Sequence, residues 1–169
     1  MRIRHVNGIV SAIIVCFFLV HGALGAASGY FSWQSALAGL VWVGVALVCA
    51  HVVISVFTSK QQLSDVEHPP SERKKRHLLL KWVTGGLLAA FVVAHIVSVQ
   101  LFGASVVQAP GVGVFVTLAV IVALTVHICV GTKSLLVDIG MSKQFMLPFR
   151  IVVCAVAAML AIAVLVASL

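Results

Sequence analysis

Charged residues divide the chain into long uncharged runs. No Asp, Glu, Lys or Arg occurs between Val6 and Ser59, between Trp82 and Thr132, or between Ile151 and Leu169. A membrane-crossing helix needs about 20 consecutive apolar residues. Each of the first two runs holds two such segments with a turn between them, and the third holds one. The pattern predicts five transmembrane helices over about 8–27, 35–58, 78–102, 112–131 and 147–168. The turns are the stretch from Ser28 to Gln34, with Tyr30 and Trp33 suited to a membrane interface, and Gly103 to Gly111, with Pro110. Polar loops run from Ser59 to His77 and between the fourth and fifth spans, where Lys133, Asp138 and Lys143 lie. The expected fold is all-α: an integral membrane bundle of five transmembrane helices forming a single domain over 1–169.

Composition agrees. The chain is 62% hydrophobic and 9% charged, against roughly 25% charged residues in an average soluble domain. The net charge of +7 reflects topology rather than nucleic-acid binding. With five spans, Arg2, Arg4 and both polar loops share one side, which carries every Lys and Arg. The positive-inside rule makes that side cytoplasmic, with the N-terminus. The basic run Arg73-Lys74-Lys75-Arg76 then sets orientation or serves docking; no stacking aromatic face or basic helix accompanies it. Met1-Arg2-Ile3-Arg4, an apolar stretch and Ala23-Leu24-Gly25-Ala26 also have the outline of a secretory leader; the five-span reading keeps this segment as the first span. Cys16, Cys49, Cys129 and Cys154 all lie in apolar runs without a C-x-x-C or C-x-x-C-H spacing, so they read as small buried residues rather than as a zinc or covalent-haem site.

The histidines change the picture. His5, His68 and His77 fall at the charged side, but His21, His51, His95 and His127 lie one in each of the first four spans. An ionisable group in hydrocarbon is costly and marks function. By helical rise, His21 and His95 sit roughly 9–10 Å from the uncharged surface, and His51 and His127 roughly 6–11 Å from the charged one. The separation is 30 residues from His21 to His51 and 32 from His95 to His127. Spans one-two and three-four are therefore similar hairpins. Side by side, they pair His21 with His95 (outer) and His51 with His127 (inner). Two facing imidazoles complete a six-coordinate b haem, whose porphyrin supplies four equatorial nitrogens. The expectation is two b haems in a four-helix core. Gly25 and Gly131 follow His21 and His127 by four residues, and Gly44 precedes His51 by seven, giving small faces for haem packing. Lys81 and Lys133, with Arg76 and Arg150, lie at a depth suited to inner propionates; Tyr30, Trp33, Gln34, Gln100 and Gln108 are the polar groups near the outer site.

Two local motifs carry a resemblance. They are Lys81-Trp82-Val83-Thr84-Gly85, leading through Phe91 to His95, and His127 with Gly131, Ser134 and a later Gly140. With the four-histidine pattern they resemble the diheme cytochrome b membrane subunit of succinate:quinone oxidoreductases (succinate dehydrogenases and fumarate reductases), in its single-chain, five-span form. The resemblance covers most of the chain and implies the same histidine pairing. It also implies an iron–sulfur subunit and an FAD flavoprotein on the cytoplasmic side, a membrane quinone as electron partner, and a place in the inner (cytoplasmic) membrane. This chain is short for that family, and His51 lacks a following Gly. No acidic residue lies inside any span, which points to electron passage rather than coupled proton transfer. Two other readings are a cytochrome b of hydrogenase or formate dehydrogenase type, whose partner usually docks on the opposite face, and a histidine-based transporter, which commonly carries intramembrane acids or broken helices.

Overall fold

The computed structural model describes residues 2–27, 34–64, 70–103 and 111–167, and these fold into five helices: α1 (Arg2–Ala27), α2 (Gln34–Leu63), α3 (Glu72–Phe102), α4 (Val112–Asp138) and α5 (Lys143–Ala167). All five are long and apolar enough to cross a membrane. They are apolar all round rather than on one stripe, as a helix surrounded by lipid requires. Large apolar side chains face outward along the bundle: Trp42 and Phe115 are each 70% exposed and Leu79 65%. Hydrocarbon offers no hydrogen-bonding partner, so the backbone must satisfy itself, and continuous helices do so.

The helices run further than the apolar runs at the charged end. Segments 59–63, 72–77 and 132–138, expected as loop, are helical. Polarity marks where hydrocarbon stops, not where a helix must; Lys, Arg, Gln and Glu are good helix formers. Ser71 starts α3 by accepting a hydrogen bond from the Lys74 backbone N–H, and Glu72 in the first turn pairs with Lys75 at 2.7 Å. The other end of α4 closes in a Schellman motif. Gly140 has φ +82°, its N–H bonds to Val137 O, and the Met141 N–H bonds to Leu136 O. A left-handed residue there favours glycine. Of the expected turns over 28–34 and 103–111, residues 28–33 and 104–110, with Tyr30, Trp33, Gln108 and Pro110, lie outside the described residues, as do His68 and Pro69.

Packing joins α1 to α2, α3 to α4, α4 to α5, and α1 to both α4 and α5. The start of α1 meets the end of α4 closely: a Cβ on Gly8 would stand 2.8 Å from Ile139 Cγ2, so only glycine permits this crossing. His5 Nδ1 lies 3.1 Å from the Asp138 carbonyl at the same place. Trp82 Nε1–H donates to Ser59 Oγ (3.2 Å), joining α3 to α2. These contacts gather the start of α1, the end of α2, the start of α3 and the end of α4 on one face, the charged one.

The cysteines are not all separate apolar fillers. Cys129 on α4 and Cys154 on α5 face each other across the helix contact, with Cα atoms 6.1 Å apart, a separation that a disulfide spans. Cys16 and Cys49 are free. Alkylation of the denatured chain without reductant should label two cysteines, and four after reduction. Four labels without reductant would exclude the bond.

Candidate haem-ligand pairs between the helices

The four intramembrane histidines occupy two levels. On the charged-end level, His51 (α2) and His127 (α4) border one cavity of about 300 Å³ lined by residues of α1, α2, α3 and α4. They lie close enough to interact electrostatically. At the other level lie His95 (α3) and His21 (α1).

Both inner rings are oriented by hydroxyls from a neighbouring helix. Ser11 Oγ on α1 lies 2.7 Å from the Asn7 carbonyl and 3.2 Å from His51 Nδ1. A carbonyl only accepts, so the single hydroxyl proton goes to Asn7, and Ser11 must accept from His51 Nδ1–H. Thr84 Oγ1 on α3 repeats this. It donates to Leu80 O (2.9 Å), with Lys81 O at 3.2 Å, and accepts from His127 Nδ1–H at 3.0 Å. In each neutral ring Nε2 is then left with its lone pair. Ser55 Oγ lies 3.5 Å from His51 Nε2, but its proton is donated to Asn7 Oδ1 at 3.2 Å.

Glycine and lysine complete this level. A Cβ on Gly85 would stand 3.1 Å from His127 Cε1, so the His127 ring rests on the bare backbone of α3. Gly86 and Gly131 also line the cavity, and a Cβ on either would meet no atom within 4 Å. Lys81 borders the cavity at its charged end and donates from Nζ to Ser134 Oγ at 2.9 Å. Lys133, expected beside it, is exposed and absent from the cavity wall, as are Arg76 and Arg150. One helical position separates Lys133 from Ser134, enough to turn it to another face.

At the outer level the histidine has an aromatic neighbour. The His21 ring stacks on Phe17, with centroids 6.0 Å apart and planes 8° from parallel. Gly44, expected to make room for a haem, makes room for Phe17 instead: a Cβ there would lie 2.7 Å from Phe17 Cε1. A Cβ on Gly25 would meet no atom within 4 Å. His21 Nδ1 is buried and has no hydrogen-bond partner among the described residues. A buried polar atom left so is costly, and it suits a ring that waits for a ligand or a bridging group. Gln100 is exposed, and the side chain of Gln34 lies outside the described residues.

No family model, curated protein or solved structure matches this chain. The site therefore has to be read from its own chemistry. Asn7, Ser11, Ser55 and the service of Gly85 to His127 went unread in the sequence. Each acts across a helix–helix contact, and only the hydroxyl-plus-glycine pair Thr84-Gly85 left a local signal.

Proposed function

We propose that this chain is the membrane anchor and electron-transfer subunit of an oxidoreductase, holding two b haems, one on His51 and His127 and one on His21 and His95. The observation that carries this reading is the inner pair. Two imidazoles from different helices border one cavity, and each has its Nδ1–H committed to a hydroxyl and its Nε2 lone pair left over. Metal-bound histidines are held in this way by the group that accepts their other ring proton. A bound haem supplies one-electron exchange at its iron. Among the described residues no three His, Cys, Asp or Glu side chains converge as a bare metal ion would need; pairs suit a ligand that brings its own equatorial nitrogens.

The remaining residues fit. Gly85, Gly86 and Gly131 keep the walls low for a flat ligand, and Lys81 offers positive charge to a propionate at the cavity's charged end. The outer pair fits by ligand type, by its shared depth and by the unpartnered His21 Nδ1. The same reading sets the N-terminus and the charged face in the cytoplasm, the chain lying in the inner membrane. There an iron–sulfur subunit and an FAD flavoprotein of succinate dehydrogenase or fumarate reductase type dock, and a quinone exchanges electrons within the membrane. Its support is that all 11 Lys and Arg residues fall at one end of the five-span arrangement, together with the motif resemblance.

A dithionite-reduced-minus-oxidised spectrum with a pyridine haemochrome assay tests this. The expected result is two b haems per chain. A correctly inserted chain that carries none overturns the reading.

A further inference from the structure

Ser11 and Thr84 are alike in more than chemistry. Ser11 stands on α1, ten residues before His21, and serves His51, 40 residues on, in α2. Thr84 stands on α3, eleven residues before His95, and serves His127, 43 residues on, in α4. Each hairpin thus carries the same device. A hydroxyl on its first helix has its proton anchored to that helix's own backbone four residues earlier, and it turns a lone pair to the histidine of the second helix. Such back-bonding is a normal resting place for Ser and Thr in an apolar helix. It also converts a group that can both donate and accept into a fixed acceptor.

We infer that Ser11 and Thr84 are positioning residues that hold His51 and His127 in the Nδ1–H tautomer, making both inner rings Nε2 ligands, and that the two hairpins share this as a repeated element. The inference deepens the proposed haem site and rests on that reading only for the identity of the ligand. The outer level is built differently, since His21 Nδ1 has no such acceptor among the described residues. An accepted ring proton makes an imidazole a more basic ligand. An inner haem iron held by these rings would therefore have its oxidised form favoured by these two bonds, and losing either one would shift its midpoint potential upward.

The test uses the full-length chain labelled with ¹⁵N-histidine, in lipid and reduced with dithionite, so that any low-spin haem is diamagnetic. Solid-state NMR should find Nδ1 protonated and Nε2 unprotonated on His51 and His127. Thr84→Val should disturb this at His127 alone, Ser11→Ala at His51 alone, and Thr84→Ser should restore the wild-type signal. In haem-loaded protein, Thr84→Val should raise the midpoint potential of one haem and leave the other unchanged, with Thr84→Ser reverting it. A protonated Nε2 in the parent chain, or tautomers indifferent to both substitutions, overturns the inference. The haem count is read separately. A chain without haem but with these tautomers defeats the proposed function and leaves this inference standing; two haems with indifferent tautomers do the reverse.

Discussion

Replacing His127 by alanine should halve the haem content, removing the inner haem and leaving the outer one with its own spectrum. In the proposed haem site His127 would contribute one of two axial nitrogens. Without it, His51 would be a single ligand beside an enlarged cavity, and haem affinity would fall with the lost bond. The bundle itself should persist, because its backbone hydrogen bonds lie within each helix and do not depend on the ring. His95→Ala is the mirror experiment and should spare the inner haem. Haem per chain, with potentiometric titration of the survivor, reads the outcome. Two haems retained in His127→Ala would remove this residue from the ligand set, and loss of the outer haem alone would show that the levels are wrongly paired.

The second large effect is expected at Gly85. A single added carbon there already stands 3.1 Å from His127 Cε1. Gly85→Ala should displace the ring by a few tenths of an ångström, at an overpacking cost of about 1–3 kcal/mol. Gly85→Leu sends further carbons into the space of the ring itself and should abolish the inner haem while the outer one stays. Gly39→Ala is the control, since a Cβ there meets nothing within 4 Å; it should keep both haems. A Gly85→Leu protein with unchanged haem content and unchanged spectra would show that the ring does not need this backbone surface.

Hydropathy alone delivered the five helices and the side on which charge gathers, because lipid imposes one rule on every span. Helix ends at the charged face were not legible. There the constraint passes from hydrocarbon to ordinary helix propensity, and α2, α3 and α4 continue through Lys60, Arg73 and Lys133. The four histidines were legible because so few residues in an apolar run carry chemistry. Their supports were not. Gly85 enters the sequence reading only within the motif that leads to His95 on its own helix, whereas the ring it faces belongs to α4. Gly44 was assigned to a haem, yet it accommodates Phe17. Cys129 and Cys154 are 25 residues apart, and their facing depends on how α5 rotates against α4, which spacing alone does not fix.

The two hydroxyl–imidazole bonds also act as a ruler. Each ties an inner histidine to a known point on the helix that bears an outer one. Ten and eleven residues of helix then separate the levels by about 15–17 Å, roughly half of a 30 Å hydrocarbon core. A unit charge crossing the whole membrane gains or loses about 2.3 kcal/mol per 100 mV. On the proposed two-haem reading, an electron moving between the two histidine pairs would cross about half of that field, so each 100 mV of membrane voltage would tilt its distribution by about 1 kcal/mol. The voltage across the membrane would thus become a third determinant of where the electron resides, beside the proposed ligands and the nearby lysine.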